Sequence, residues 1–380
     1  MNLLQITHDW KWTGPAEPML RLGLALRERG HTVYLACPEA QGEARSLASE
    51  ACQGGMTPDL ILERAKGVRL FSDGEDIRCL TEFLRKHEIQ VVHTWHTRDH
   101  VLVLRALRNL PAARRPVVIR SYRVGEAIPA WPWNRFLFGA GCDGLLCVSP
   151  RVAAENQKLR GGRPTAGAFG AVDFDRFSPK AADPAVRESL GLDRAHRVVG
   201  IVARMQPHRR FDLLLNAAKI LFEKDPMARL LVIGRGTHAE EVAMEPARRL
   251  GIEDRVIFAG YIQNNFEEVL RSMDLLTFLV PGSDGTCRAV LEAAACGIPA
   301  VTTRRGALPE IVLDGETGLC VNEDPVELAE AWSRLLEDEA LRVQLGRAAA
   351  RRAQEHFTPQ HLADQAEALY RQALGEGFEE

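Results

Sequence analysis

Short apolar runs alternate with longer amphipathic stretches along most of the 380-residue chain. The apolar runs are rich in Val, Ile and Leu, which is typical of parallel strands buried on both faces. They predict strands at residues 3–6, 31–36, 89–93, 116–120, 144–148, 198–203, 230–234, 256–260, 275–280 and 300–303.

The amphipathic stretches between these runs predict helices. In the first of them Leu20, Leu24 and Leu26 form an apolar side, and Gly30 follows its end as a helix terminator. Helices are predicted at residues 17–29, 213–224, 240–250, 265–272, 288–296 and 359–374. Strands that alternate with helices indicate an α/β fold with parallel sheets covered on both faces.

The alternation restarts near residue 195, which predicts two doubly wound, Rossmann-like domains facing a central cleft. Residues 1–172 form the predicted N-terminal domain, 195–358 the C-terminal domain, and the polar stretch 173–194 the linker. The last helix, 359–374, could cross back to the N-terminal domain. Ligands of such sheets bind at the carboxyl ends of the strands, so binding residues are expected in the loops that follow strands.

Composition narrows the class of protein. Hydrophobic residues make up 46% of the chain and charged residues 26%, as in ordinary globular proteins, and a net charge of −3 gives no reason to expect nucleic acid. The eight cysteines form no CxxC pair and are interpreted as reduced thiols of a cytoplasmic protein. The N-terminus lacks the features of a signal peptide, and no apolar run is long enough to predict a membrane span.

The loop after the predicted strand 275–280 is the first candidate site. It carries an acid at each end, Asp284 and Glu292, and opens into an Ala-rich helix. Backbone N–H groups at a helix N-terminus can bind a phosphate or a sugar hydroxyl, and the two carboxylates can accept hydrogen bonds from hydroxyls. An ordinary strand-to-helix turn explains this segment equally well when it is considered alone.

Loops after two other strands add candidate residues. Arg204 and Arg209 flank a proline turn after strand 198–203, and guanidinium groups bind phosphate oxygens bidentately. The alternative is a solvated basic turn. Gly234 and Gly236 would let the backbone approach a base or a ribose, although a simple turn also explains a lone GxG.

Several motifs occur in a fixed order along the chain. They are Thr13-Gly14, residues 30–33, 170–177, Arg204 with Arg209, 233–236, 254–261, 284–292 and 306–318. Taken in order, these motifs resemble the retaining glycosyltransferases of family 4, which have the GT-B fold. The resemblance covers nearly the whole chain, and each motif is weak alone.

The resemblance implies roles for individual residues. Glu292 matches the glutamate that holds the donor ribose, and Asp284 matches the residue that contacts the donor sugar, where glutamate is usual. Arg204 and Arg209 match an Arg-x4-Lys pair that stabilises the leaving diphosphate, with arginine in place of lysine. Gly14 is the retained glycine of the first-loop pair. The expected donor-binding set also includes Gly234, Gly236, Gly285, Thr286 and Cys287.

The acceptor side is predicted from the N-terminal domain. Tyr122 stands where the family often has a histidine. A tyrosine cannot act as a base near pH 7, but it can donate a hydrogen bond. Tyr122, the adjacent Arg123 and His96 are the acceptor-side candidates, with a plain loop as the equal alternative for His96. The three histidines in residues 93–100 do not predict zinc, because no carboxylate–histidine framework accompanies them.

Six arginines within residues 105–123 precede a group of aromatic residues. Arginine combined with Trp and Phe is typical of a peripheral membrane surface or of a site for an anionic acceptor. A solvated face beside ordinary core aromatics explains them as well. The residues are Arg105, Arg108, Arg114, Arg115, Arg120 and Arg123, followed by Trp131, Trp133, Phe136 and Phe138.

The sequence therefore predicts a retaining, hexosyl-type glycosyltransferase. Its donor would be a nucleotide sugar, and its acceptor a glycan, lipid-linked or lipopolysaccharide-type molecule. It would act in the cytoplasm or at the inner face of the cell membrane. The resemblance implies that no metal or other cofactor is needed, because in this family cations such as Arg204 and Arg209 supply the positive charge. The alternatives are a nucleotide-sugar epimerase and a non-catalytic nucleotide or glycan binder. No G-x-G-x-x-G opens the first domain, which disfavours a Rossmann oxidoreductase.

Overall fold

The computed structural model describes residues 1–12, 16–39, 46–63, 73–282 and 285–375. They form two compact units. The first contains Met1–Ala171 together with the described residues from Pro359 onward, and the second contains Val172–Thr358.

The first unit is built on a parallel sheet. The strands are β1 (Asn2–Ile6), β2 (Thr32–Pro38), β3 (Leu60–Leu62), β4 (Val91–Thr94), β5 (Val117–Tyr122), β6 (Gly144–Cys147) and β7 (Thr165–Gly167). Their order in the sheet is β3-β2-β1-β4-β5-β6-β7. The order reverses between β1 and β4, which makes this the topological switch point of the sheet. The helices are α1 (Ala16–Glu28), α2 (Leu47–Gln53), α3 (Gly74–Lys86), α4 (Thr97–Leu107), α5 (Pro132–Arg135) and α6 (Pro150–Arg160).

The second unit also has a parallel sheet. Its strands are β8 (Arg197–Val202), β9 (Ala228–Ile233), β10 (Val256–Gly260), β11 (Leu275–Phe278), β12 (Ala300–Thr303) and β13 (Gly318–Val321). Their order is β10-β9-β8-β11-β12-β13, with a switch point between β8 and β11. Its helices are α7 (Pro184–Ser189), α8 (Phe211–Lys224), α9 (Glu245–Arg249), α10 (Phe266–Arg271), α11 (Arg288–Ala295), α12 (Leu308–Ile311), α13 (Pro325–Glu337) and α14 (Glu339–His356).

The last helix, α15 (Pro359–Leu374), packs on the first unit. Its apolar side, including Leu369 and Ala363, is buried in the same core as Leu22 of α1. The guanidinium group of Arg29 reaches a carboxylate oxygen of Asp364 at 2.6 Å. This confirms the prediction that the C-terminal helix crosses back to the N-terminal domain.

The predicted fold class is confirmed, and all the predicted strands are present. Three short strands, β3, β7 and β13, were not predicted. The predicted helix 240–250 is a π-helical turn over Glu240–Met244 followed by α9. Pro246 explains the change, because it has no N–H to continue the regular ladder.

Residues 173–194, predicted to link the two domains, lie within the second unit. The side chain of Arg271 holds the start of this segment, with Nε donating to the carbonyl of Ser178 at 3.1 Å and Nη2 to that of Arg176 at 2.7 Å. The ring of Phe177 is buried beside Phe266 of α10.

Candidate active site

The carboxyl ends of β8 and β11 bring the two predicted phosphate-binding arginines to one place. Arg204 lies just after β8, and Arg209 ends the 3-10 turn Pro207–Arg209. The guanidinium carbon of Arg209 lies 5.4 Å from the ring centroid of Phe278, the last residue of β11. Burial lowers the pKa of Arg209, and the charge of Arg204 lowers it further, while Cys287 acts in the opposite direction. Arg209 still carries its positive charge at any physiological pH.

Among the described residues, Arg204 and Arg209 have no carboxylate partner, although Arg209 is only 8% exposed. Other arginines at this edge of the sheet are paired. Their ion pairs are Arg210 with Asp212 and Glu323, Arg304 with Asp314, and Arg305 with Glu323. A buried cation without a counter-charge is costly, so the guanidinium group of Arg209 is well suited to an anionic ligand. Arg204 is exposed, and its charge lies close enough to act on Arg209.

Gly234 and Gly236 lie in the loop after β9, and they pack against the backbone carbonyl groups of the two residues that flank Arg204. A Cβ on Gly234 would lie 2.0 Å from the carbonyl oxygen of Ala203, and a Cβ on Gly236 would lie 2.0 Å from that of Met205. Gly234 also has a φ of 142°, which favours glycine. The two glycines thus allow the loop after β9 to touch the loop that carries Arg204. Their contact with a base or ribose stays a prediction.

The segment before α11 is closely packed. Gly285, Thr286 and Cys287 are buried, and Cys287 adopts the left-handed conformation with φ 52°. Cys287 also lies close enough to Arg209 to affect its pKa, so the start of α11 lies beside that guanidinium group. Asp284 lies outside the described residues.

Glu292 lies in α11 with its side chain almost fully buried. Its Oε1 is 3.0 Å from Nε of Arg288, one helical turn earlier. A buried carboxylate held in this way has a fixed orientation. Its role in binding ribose stays a prediction, as do the roles of the other donor-side residues.

Of the three histidines in residues 93–100, two are buried in the core and one lies at the start of α4. His93 lies on β4 with Nδ1 2.7 Å from the hydroxyl of Tyr370 and Nε2 2.8 Å from that of Ser121. Burial lowers the pKa of His93 and that of His100 to about 3. Both are therefore neutral core residues. His96 immediately precedes α4 and is half-buried.

His8 joins His96 at the switch point of the first sheet. It follows β1, and its Nδ1 lies 2.7 Å from Oδ1 of Asp99 in α4. The backbone N–H of His96 donates to the other oxygen of Asp99 at 2.8 Å, and the rings of His8 and His96 meet edge to face at 5.0 Å. The sequence predictions did not include His8. Its position just after the first strand, at the carboxyl edge of the sheet, was the available signal.

The other acceptor-side candidates are near the end of β5. Tyr122 packs edge to face on Phe138, with ring centroids 5.5 Å apart, and burial raises its pKa to about 12. This phenol is even less able to act as a base than an ordinary tyrosine. The guanidinium group of Arg123 lies 5.3 Å from the ring centroid of Trp95. Gly14, predicted on the donor side, lies outside the described residues.

Within the described part of the chain, no group of three or more His, Cys, Asp or Glu side chains is arranged to hold a metal ion. All eight cysteines are free thiols, and six of them are buried. Across the same residues, no helix combines the length and the apolar character needed to cross a membrane.

Comparison with known families assigns both halves of the chain. Residues 196–338 match the family described as glycosyl transferases group 1, and residues 14–165 match glycosyltransferase family 4.

Two curated relatives match much of the chain. A D-inositol 3-phosphate glycosyltransferase of Segniliparus rotundus is 33% identical over 297 residues, which are 76% of this chain and 62% of the relative. The lipopolysaccharide core biosynthesis mannosyltransferase LpsB of Rhizobium meliloti is 28% identical, over 69% of this chain and 74% of LpsB. The chain spans about half the length of several other curated relatives that it matches.

The fold is shared with solved glycosyltransferase structures. That of Anabaena Alr3699/HepE, in complex with UDP and glucose, superposes with a TM-score of 0.76 over 97% of this chain and 99% of HepE, at 18% identity. With both halves matched and this fold in common, the chain belongs to family 4 of the glycosyltransferases, the glycosyl transferases group 1.

Proposed function

We propose that this protein transfers a hexose from a nucleotide sugar to a hydroxyl group of a glycan, lipid-linked or lipopolysaccharide-type acceptor, with retention of anomeric configuration. The observation that carries the proposal is the Arg204–Arg209 pair at the switch point of the second sheet. Arg209 is buried against Phe278, and neither guanidinium group has a carboxylate partner among the described residues. A diphosphate leaving group supplies the missing negative charge.

The relatives support this reaction class. Their names specify sugar transfer to inositol 3-phosphate, and mannosyl transfer in the synthesis of the lipopolysaccharide core. The solved structure of HepE contains UDP and glucose, which makes UDP-glucose the first donor to test.

In the proposed reaction the acceptor hydroxyl attacks the anomeric carbon on the face from which the diphosphate departs. The bond from that carbon to the phosphate oxygen breaks, and a leaving phosphate oxygen takes the hydroxyl proton. Arg204 and Arg209 stabilise the negative charge that grows on the diphosphate. Glu292 binds the ribose hydroxyls, and Asp284 with backbone N–H groups near Cys287 orients the sugar.

We further propose that the reaction needs no metal ion. Two fixed positive charges at Arg204 and Arg209 can neutralise the diphosphate without one. Transfer should therefore continue in excess EDTA. A complete loss of transfer in EDTA that added magnesium restores would contradict this part of the proposal.

The test begins with nucleotide binding. Thermal denaturation of the full-length protein with UDP, GDP, ADP and their sugars should show one nucleotide that raises the melting temperature, because ligands stabilise the state they bind. The same ligand should have little effect on Arg209→Ala. Arg210→Ala is the matched control, since Arg210 is the next residue but is paired with Asp212 and Glu323.

Product analysis then separates the possible activities. The nucleotide sugar that binds is incubated with D-inositol 3-phosphate or lipopolysaccharide core, and without acceptor. An acceptor-linked sugar with the donor's anomeric configuration supports the proposal. Conversion of the donor to its epimer without acceptor would indicate an epimerase. Binding without either product over the whole panel would indicate a nucleotide or glycan binder.

We also propose that the protein works in the cytoplasm, in peripheral contact with the inner face of the cell membrane. Three aromatic side chains at and next to α5 support this contact. Trp131 is 70% exposed, Trp133 55% and Phe136 44%. Exposed aromatic residues of this kind favour the interface between lipid and water.

A further inference from the structure

His8 and Asp99 form a polar pair that the donor chemistry does not use. They lie at the carboxyl ends of β1 and β4, at the switch point of the first sheet, where a doubly wound sheet binds its ligands. Asp99 has a side chain that is 0% exposed, whereas that of His8 is 23% exposed. The pair therefore has a buried carboxylate and an imidazole that reaches solvent.

Asp99 is held as a carboxylate by its surroundings. Burial alone would raise its pKa, but hydrogen bonds and charges from His8, His96 and Arg120 bring the pKa below its ordinary value. One oxygen accepts from the backbone N–H of His8 at 2.8 Å and lies 2.7 Å from His8 Nδ1, and the other accepts from the backbone N–H of His96. The carboxylate is thus fixed in position and ionised.

This geometry sets the tautomer of His8. A carboxylate oxygen cannot donate, so the short contact requires a proton on Nδ1 of His8. In the neutral imidazole, Nε2 then carries the lone pair. None of the described residues makes a hydrogen bond to Nε2, and the His96 ring at 5.0 Å limits rotation of the His8 ring.

We propose that Nε2 of His8 accepts a hydrogen bond from a hydroxyl group of the acceptor substrate, and that Asp99 is the residue that positions His8. The inference rests on the glycosyltransferase function proposed above and assigns it a specific acceptor contact. The ligand class is a polyhydroxylated molecule, such as a sugar or cyclitol ring, because an imidazole in this tautomer offers an acceptor and not a donor. The proton of the reacting hydroxyl still passes to the leaving phosphate.

His8→Asn and His8→Gln separate this role from a structural one. The amide of asparagine lies near the position of Nδ1, so it can still donate to Asp99, but it has no atom at the position of Nε2. Glutamine is longer and can place an amide oxygen near that position. His238→Asn is the matched control, because His238 is an exposed histidine that also contacts a carboxylate, Glu241, at 3.0 Å.

The first experiment is a titration of the full-length protein with myo-inositol, with and without UDP, followed by the ¹⁵N resonances of the imidazole side chains. A saturable change at Nε2 of His8, and loss of myo-inositol binding in His8→Asn, are expected. An unchanged His8 resonance, or equal binding by wild type and His8→Asn, would overturn the inference. Asp99→Ala removes both carboxylate oxygens, so its ¹⁵N shifts should show that Nδ1 is no longer the preferred site of the proton. An unchanged tautomer in this variant would show that Asp99 does not position His8.

Kinetics give the second measurement. In His8→Asn the KM for the acceptor should rise about tenfold, which corresponds to one hydrogen bond of about 1.4 kcal/mol, while the KM for the donor and UDP binding stay unchanged. His8→Gln should recover part of the loss. Equal changes in the KM for the donor and the KM for the acceptor would overturn the inference. Failure of wild type to bind any nucleotide would instead count against the proposed function, since His8 contributes nothing to that measurement.

Discussion

The guanidinium group of Arg209 lies over the ring of Phe278, 5.4 Å from its centroid, where β8 and β11 end side by side. The ring shields one face of the cation without neutralising it, and a cation–π contact of this kind contributes about 1–2 kcal/mol. The cation is therefore held in place while its charge stays available to a ligand.

Replacing Arg209 by alanine should lower kcat/KM at least about 100-fold, because one donor to the growing negative charge is lost. The thermal stability of the ligand-free protein should change little, because loss of the cation–π contact with Phe278 is offset by removal of a buried cation that has no carboxylate partner in the described part of the chain. Steady-state kinetics and thermal denaturation check the two expectations. Arg210→Ala should keep most of the activity, and an equal loss in both variants would show that Arg209 has no special role.

Gly236 should not tolerate a side chain. Its Cβ would lie 2.0 Å from the carbonyl oxygen of Met205, a distance that requires the loop carrying Arg204 to move. Gly236→Ala should reduce the free energy of unfolding by about 1–3 kcal/mol and should lower kcat as well. Urea denaturation and kinetics measure these effects.

The control for Gly236→Ala is Gly74→Ala at the first position of α3. Nothing lies within 4 Å of a Cβ added to Gly74, so its free energy of unfolding should change by no more than about 0.5 kcal/mol. If Gly236→Ala were as stable and active as Gly74→Ala, the loop after β9 would not be in close contact with the loop that carries Arg204.

Glu292→Gln tests the ribose-binding role predicted for Glu292. Glutamine keeps the shape but loses the charge, so hydrogen bonds from ribose hydroxyls weaken, and the dissociation constant for UDP should rise about tenfold. Titration calorimetry measures this constant. Arg288→Ala removes the contact at 3.0 Å but leaves the carboxylate in place, so its effect on UDP binding should be smaller. If Arg288→Ala weakened UDP binding more than Glu292→Gln does, the ion pair and not a contact between Glu292 and the ribose would explain the effect on the dissociation constant.

The fold could be predicted from the sequence because buried parallel strands leave a strong, local signal. The runs at 275–280 and 300–303 consist of apolar residues and threonine, which favour strands, and they correspond to β11 and β12. The three residues of β3, by contrast, are too few to distinguish from an apolar loop. The split in the helix over 240–250 depended on a single proline, Pro246, whose effect the helical pattern of the surrounding residues hides.

The candidate site was predicted less completely, because contacts across the sheet decide what each residue does. The spacing of Arg204 and Arg209 is visible in the sequence, but the lack of carboxylate partners is a property of three-dimensional packing. His93, His96 and His100 look alike in the sequence, and only the fold separates two core histidines from one at the loop. His8 pairs with Asp99 across 91 residues, a distance at which no local pattern operates.

The aromatic residues at α5 give a prediction about membranes. The rings of Trp133 and Phe136 lie with centroids 6.0 Å apart on an exposed surface that also includes Trp131. Replacing all three by serine should lower binding to vesicles of phosphatidylcholine and phosphatidylglycerol by about tenfold or more, since each buried aromatic side chain contributes about 1.5–3 kcal/mol. Co-sedimentation measures the bound fraction. Val326→Ser, at another exposed apolar residue, should bind as wild type does, and equal binding by all three proteins would exclude this surface.

Acidification should destabilise the first unit through His93. Burial lowers its pKa to about 3 in the folded protein, whereas a histidine in the unfolded chain has a pKa of about 6.5. Between these values the unfolded state binds a proton that the folded state does not. The contribution of neutral His93 to the free energy of unfolding is therefore fully present above about pH 6.5 and is lost as the pH falls toward 3. The loss reaches about 2 kcal/mol at pH 5.

The stability of His93→Gln should be lower than that of wild type at pH 7 but should depend less on pH. At pH 7 this variant should be less stable than wild type, because contacts at 2.7 Å to Tyr370 and 2.8 Å to Ser121 are disturbed. Between pH 7 and pH 5 the free energy of unfolding of His93→Gln should fall by about 2 kcal/mol less than that of wild type, because glutamine does not titrate. Hydrogen exchange of the amides of β4 and β5 measures the stability of this unit at each pH. His238→Gln should retain the pH dependence of wild type, and a His93→Gln curve parallel to that of wild type would mean that His93 is not the group that titrates.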